Sequence, residues 1–66
     1  MIAELFDVVA VDLNTLAVRL IGKDKTLRNA EAIVQMAVMR RGCEEEFFVE
    51  TPAGAYQEGD LWKDAE

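Results

Sequence analysis

Histidine is absent from the 66-residue chain, and cysteine occurs once, at Cys43. The absence of histidine removes the commonest side-chain ligand for zinc, copper or nickel and the commonest general base. A single cysteine cannot form an internal disulfide, and a lone thiol is typical of a reducing, cytosolic compartment. We therefore expect no metal site, no cofactor and no catalytic residue, and we interpret Cys43 as a small buried hydrophobe.

Long apolar runs are also missing. None approaches the roughly 18 residues of a membrane span, and acidic residues stand where a signal peptide would carry basic ones, so we expect a cytoplasmic protein without membrane contact. Basic residues number 7 against 13 acidic ones, for a net charge of −6. Because nucleic-acid binding depends on phosphate neutralisation, we do not expect direct binding to nucleic acid. A basic partner, or an acidic surface that imitates nucleic acid, stays open.

The residues that are present make a globular composition, with 52% hydrophobic and 30% charged side chains. A domain of this length buries only about 60% of its unfolded surface and is marginally stable alone. Because disulfide and metal are excluded, we expect self-association or a partner protein to supply further stability.

The apolar pattern predicts one α+β domain over residues 1–66, in which an antiparallel sheet of three or four strands carries one helix on one face. Strands are predicted at about 5–12, 16–21 and 46–51, with residues 22–25 ending the first hairpin. A fourth strand, at 55–57 or 60–62, would extend the order ββαβ to ββαββ. The helix is predicted at about 26–41, with Thr26 or Asp24 as its N-cap and Gly42 at its end.

The predicted helix carries two apolar stripes. The first spans a sector of about 100° and is expected to cover the sheet. Its members are Leu27, Ala30, Val34, Ala37 and Val38. The second lies on the opposite side, and either the C-terminal tail or a second copy or partner covers it, since methionine adapts well to binding surfaces. Together with a phenylalanine that stands among glutamates, it supplies the predicted interface residues Ala32, Ile33, Met36, Met39 and Phe48.

Basic side chains gather near both ends of the helix. A helix N-terminus attracts phosphate groups, and in an oligomer the two ends could line a shared nucleotide pocket. The predicted anion-binding residues are Lys23, Lys25, Thr26, Arg28, Arg40 and Arg41. The alternative is a solvated basic cap on an acidic protein. We interpret the acidic run Glu44 to Glu46 as a solvated patch that steers a partner, because it lacks a calcium-loop pattern.

A hairpin followed by the segments DKTLRNAEAIV, MAVMRRG, EEFFVETPAG and YQEGDLW resembles small accessory proteins encoded by tailed phages and prophages. The resemblance covers most of the chain in size and layout and transfers no site residues. It implies either an inhibitor that binds an effector of a bacterial defence system or a protein that sequesters its nucleotide signal.

We therefore predict a non-enzymatic, phage-type accessory protein that binds and modulates a host protein as a homo-oligomer. One alternative is an oligomeric sponge for a phosphate-bearing nucleotide. Another is a structural component of a phage particle or a larger complex.

Overall fold

A computed structural model describes residues 4–42 and 44–63. The elements follow the order β1 (Phe6–Asp12), β2 (Val18–Lys25), α1 (Leu27–Arg41) and β3 (Glu46–Pro52). The strands form one antiparallel sheet in the order β2-β1-β3, and α1 packs on one of its faces. The structure thus confirms the predicted α+β fold and its ββαβ order.

The turn between β1 and β2 is built on the side chain of Asp12. Its Oδ1 atom accepts hydrogen bonds from the amides of Asn14, at 2.7 Å, and Thr15, at 3.1 Å. These donors favour the ionised carboxylate and lower the pKa of Asp12. Leu16 then adopts a φ of 65° and donates its amide to the Asp12 carbonyl, at 2.7 Å. Local polar chemistry therefore sets where the hairpin reverses.

The second strand is longer than predicted, because residues 22–25 continue β2 instead of ending the hairpin. Register shifts on either side of Val8 let the strand run on, with Val8 opposite Gly22 and Phe6 opposite Lys25. Gly22 allows close packing there: a Cβ at this position would lie 2.9 Å from Cδ1 of Ile33, whose side chain would have to shift. The sequence G-K-D-K is typical of a turn, but tertiary contacts keep it within β2, where Asp24 adopts a φ of 56°.

Both predicted ends of the helix are occupied by capping residues. Thr26 is the N-cap, and its Oγ1 accepts a hydrogen bond from the amide of Asn29 at 3.3 Å. Gly42, with a φ of 72°, donates its amide to the Val38 carbonyl at 2.8 Å. These caps define a helix of 15 residues.

The face that α1 turns to the sheet differs from the predicted stripe. Ala30 is buried, but Leu27 and Val38 are 46% and 38% exposed. Ile33, which was predicted as an interface residue, instead contacts the sheet above Gly22. Periodicity locates an apolar sector only to within a residue or two. Because Gly22 has no side chain, the sheet has room for Ile33 at this point, and the side of the apolar sector that contains Ile33 is the one that packs on the sheet.

The main apolar cluster lies on the other face of the sheet. Buried Val9, Val11 and Val18 form its centre. The partly buried residues packed against them are Leu20, Phe47, Val49, Tyr56 and Trp62. The C-terminal segment up to residue 63 thus covers the sheet face opposite α1. Of the two alternatives for the outer helix stripe, coverage by this segment does not occur in the described residues. The segment adds a single isolated bridge, Ala17 with Leu61, so the sheet in the described residues has three strands and no fourth.

The buried side chain of Asp7, in the central strand, connects the two outer parts of the sheet. Asp7 is 1% exposed, and its two oxygens accept hydrogen bonds from the amide of Asp24, at 2.9 Å, and the amide of Gly54, at 3.0 Å. The first amide belongs to β2 and the second to the turn after β3. Asp7 therefore ties both outer strands to the central one.

Candidate functional site

A groove opens between the C-terminal half of α1 and strand β2. Its volume is about 270 Å³. Its lining residues are Arg19, Ile21, Ile33, Met36, Ala37, Arg40, Arg41 and Phe48. We refer to it as the helix–β2 groove. It is the most apolar of the surface depressions in the part of the chain that the structure describes.

Short side chains create this space between the helix and the sheet. In the central strand, Ala10 lies between Arg19 on one neighbour and Phe48 on the other. Because Ala10 and the groove-lining Ala37 each carry only a methyl group, neither fills the space that the longer side chains of the groove surround. Phe48 therefore contributes to a groove that opens beside a strand two positions away in the sheet.

The rim of the groove is cationic although the chain as a whole is acidic. Nη2 of Arg19 lies 3.1 Å from Oε1 and 3.2 Å from Oε2 of Glu46, and Nη1 of Arg41 lies 3.4 Å from the same Oε1 atom. Arg40 forms no ion pair with any residue in 4–42 or 44–63. Two guanidinium groups thus share one carboxylate, and Arg40 adds a third positive charge to a groove whose lining contains no acidic residue.

The predicted interface residues divide between two surfaces. Ile33, Met36 and Phe48 line the groove, and Met36 is 55% exposed at its mouth. Met39 is 84% exposed, and Ala32 is exposed with it on the outer side of α1, away from the groove. Met36 is thus the member that belongs to both the outer stripe and the groove.

The predicted anion-binding residues do not come together within one chain. Arg40 and Arg41 line the groove, but Lys23, Lys25 and Arg28 lie at the other end of α1. A helix of 15 residues is about 22 Å long. Thr26 in addition uses its hydroxyl to cap the helix. The basic groups that do share a site are the two C-terminal arginines and Arg19.

Sequence reasoning missed Arg19 and Ile21, which the structure places in the groove. Arg19 is the only charged residue in the predicted second strand, 16–21, and Ile21 follows it on the same strand face. A lone arginine on an otherwise apolar strand face was the available signal. This signal could be assigned to a groove only once the structure showed that α1 packs across the same face of the sheet.

Comparisons of the chain with protein-family models, curated proteins and solved structures gave no match. The proposals below therefore rest on the geometry of the chain itself.

Two further searches of the described residues gave negative results. No helix there has the length and apolarity needed to cross a membrane. Within 4–42 and 44–63, no three acidic, histidine or cysteine side chains are arranged to hold a metal ion. Cys43, interpreted above as a buried hydrophobe, lies outside the described residues.

The groove has the chemistry of a recognition site for an amphipathic, anionic group. Its floor can take up an apolar side chain and release the water that covers Ile33 and Phe48. Arginine at the rim can pair with a carboxylate or phosphate through two parallel N–H donors. Because Arg19 and Arg41 already contact Glu46, an incoming anion would meet them in a preset orientation.

Proposed function

We propose that this chain is a non-enzymatic accessory protein that modulates a host protein by binding one of its acidic segments in the helix–β2 groove. The single observation that carries the proposal is the combination of an apolar floor with three arginines, of which two share one carboxylate. The segment would insert one apolar side chain between α1 and β2 and place acidic neighbours against the arginines.

The size of the groove favours a side chain over a nucleotide. Small-molecule sites are cavities of about 300–1,000 Å³ that enclose most of the ligand. The groove, at about 270 Å³, falls below that range and is open on one side. It suits a short anchor that belongs to a larger partner, whose remaining surface makes the other contacts. Binding energy at such interfaces is concentrated in a few anchors of this kind.

The phage-type assignment and self-association are parts of the same proposal. A host effector bound through an acidic segment fits the accessory role that the resemblance implies. The exposed Met39 and Ala32 on the outer side of α1 supply a second apolar surface, on which two copies could pair while both grooves stay open. Multi-angle light scattering across a concentration series tests this, and a constant monomer mass would remove self-association from the proposal.

The groove is tested with variants that have matched controls on the same helix. Met36→Glu places a carboxylate at the mouth of the groove, whereas Met39→Glu makes the same change outside it. Arg40→Glu reverses a rim charge, whereas Arg28→Glu reverses an exposed charge at the other end of α1. Each tagged variant is used to capture protein from bacterial lysate, and circular dichroism verifies that it is folded.

We expect the two groove variants to lose one host protein that the wild type, Met39→Glu and Arg28→Glu all retain. Loss of partner binding in the Met39 variant alone would place the interface on the outer stripe and refute the groove. A thermal-shift series with cyclic and ADP-ribose-type nucleotides is run in parallel. A ligand at about 100 times its Kd stabilises a protein by about 2.7 kcal/mol. A shift of that size, lost in Arg40→Glu, would replace the protein partner by a nucleotide.

A further inference from the structure

The two outer edges of the sheet differ in whether another segment of the chain hydrogen-bonds to them. The first three residues of the β2 edge are covered by the C-terminal segment: Val18 donates its amide to the Asp60 carbonyl at 2.7 Å, and Leu20 donates its amide to Oε1 of Glu58 at 2.8 Å. Strand β3 forms the other edge. In the described part of the chain, no segment covers it.

The register shows which backbone groups of β3 face outward. Leu13 donates its amide to the Glu45 carbonyl at 2.9 Å, and Ala53 donates its amide to the Leu5 carbonyl at 3.1 Å. In an antiparallel pair, residues with inward and outward hydrogen-bonding groups alternate along the strand. The outward amides and carbonyls therefore belong to Glu46, Phe48 and Glu50. Within 4–42 and 44–63, none of these three amides has a hydrogen-bond acceptor.

This edge is regular enough to act as a template for another strand. All seven residues of β3 pair with β1 without a register shift, whereas the pairing of β2 is interrupted twice. Bulges and covering segments are the usual means by which proteins protect such edges. Strand β3 has neither, and its protection consists of Pro52 at its end and of two glutamates.

The glutamates decide which kind of strand can pair there. Glu46 and Glu50 flank Phe48, and all three side chains share one face of the sheet. If two copies paired antiparallel about Phe48, Glu46 of one copy would lie opposite Glu50 of the other. Glu46 is already paired with Arg19 and Arg41, whereas Glu50 forms no ion pair within 4–42 and 44–63. Two copies, each with a net charge of −6, repel each other, whereas a strand with a basic residue opposite Glu50 would gain an opposite-charge pair.

We infer that β3 is a docking edge for an extended basic segment of another protein, which adds as a fourth, antiparallel strand. Its residue opposite Glu50 is Lys or Arg, and its residue opposite Phe48 is apolar. Backbone hydrogen bonds provide the affinity, and the alternating side chains provide the specificity, as in other strand-addition complexes. This edge shares Phe48 with the helix–β2 groove, but strand addition uses the outward backbone groups of β3 and does not need Met36 or Arg40.

The test uses the full chain and a capped peptide, Thr-Lys-Thr-Val-Thr-Lys-Thr, followed by NMR amide shifts and hydrogen exchange. Two isomeric controls carry N-methyl groups. In one, they replace the amide hydrogens of the Lys and Val residues, which face β3. In the other, they replace those of the last three threonines, which face away. A fourth peptide has Glu in place of Lys.

We expect the parent peptide and the threonine-methylated peptide to slow amide exchange at Phe48 and Glu50. The peptide methylated on Lys and Val should bind at least tenfold more weakly, because it loses the donors that face the edge. Glu50→Lys should weaken binding of the basic peptide by roughly fivefold and strengthen binding of the acidic one. Met36→Glu and Arg40→Glu should leave binding unchanged, which separates this edge from the groove.

Three results would overturn the inference. Equal binding of both methylated peptides would show that charge alone attracts them, without strand addition. Protection of the Phe48 amide that increases with protein concentration in the absence of peptide would show that a second copy occupies the edge. Absence of any change at Phe48 and Glu50 at millimolar peptide would show that the edge does not accept a strand.

Discussion

Replacement of Asp7 by asparagine tests whether one buried carboxylate holds the three strands together. The change preserves size and shape and removes one of two acceptors. Asp7 accepts from the amides of Asp24 and Gly54, one on each oxygen, and is 1% exposed. The asparagine oxygen can satisfy one amide, but its NH₂ group then faces the other donor. One buried N–H is left without an acceptor.

The expected cost follows from these contacts. A buried donor without an acceptor costs about 1–3 kcal/mol, and the remaining hydrogen bond loses the contribution of a charged acceptor. We therefore expect Asp7→Asn to lower the free energy of unfolding by about 2–4 kcal/mol, a large fraction of what a domain of this size has. With a urea m-value of about 1 kcal/mol/M, the unfolding midpoint should fall by about 2–4 M.

Fluorescence of Trp62 provides the assay, because this residue stacks on Tyr56 at 5.0 Å in the cluster that unfolding exposes. The matched control is Asp24→Asn, the same chemical change on an exposed side chain whose φ of 56° asparagine tolerates. It should change stability by less than about 0.5 kcal/mol. Amide exchange should accelerate at Asp24 and Gly54 in the Asp7 variant. Equal urea midpoints for the two variants would refute the role assigned to this carboxylate.

Two further predictions concern the hairpin turn and the contact between helix and sheet. Because amides of Asn14 and Thr15 lower the pKa of Asp12 in the fold, its contribution to stability is present above its ordinary pKa of 3.8 and is lost as pH falls through the lowered value. The urea midpoints of wild type and Asp12→Ala should therefore differ at neutral pH and converge in acid, and a constant difference would contradict this account. Gly22→Ala should cost about 1 kcal/mol through contact with Cδ1 of Ile33, and Ile33→Val alone should cost about 0.5–1.5 kcal/mol. The double variant should cost less than the sum, since valine lacks the clashing methyl, whereas additive costs would place the strain elsewhere.

The elements that could be predicted are those whose signals lie within a few residues of each other. Alternation in β1 and β3, the Thr26 cap and the Gly42 terminus are local, and the structure has strands and helix ends at these places. The extension of β2 through residues 22–25 could not be predicted in this way. It depends on Asp7, which binds the amide of Asp24, and on Ile33, which closes over Gly22.

The candidate site was predicted in parts and assembled wrongly. Met36, Ile33 and Phe48 were singled out as an interface, and Arg40 and Arg41 as part of an anion site, but they were treated as separate surfaces. The fold brings these five residues into one groove and adds Arg19 from β2. Lys23 and Lys25, which were predicted to act with the arginines, instead lie near the N-terminus of α1, at the opposite end of the helix from Arg40 and Arg41.

By itself, the amino-acid sequence determined the fold class, the element order and the helix caps, because periodicity and capping act over one or two turns of chain. Composition further led us to expect neither a disulfide nor a histidine metal site. Only the tertiary structure decided which sheet face the helix covers, which edge stays open and which charges meet. Those outcomes depend on the space beside Gly22 and Ala10 and on pairing between residues far apart in sequence, such as Arg19 with Glu46. Contacts between residues far apart in sequence do not produce a periodic pattern of apolar and polar residues, so they cannot be predicted from periodicity.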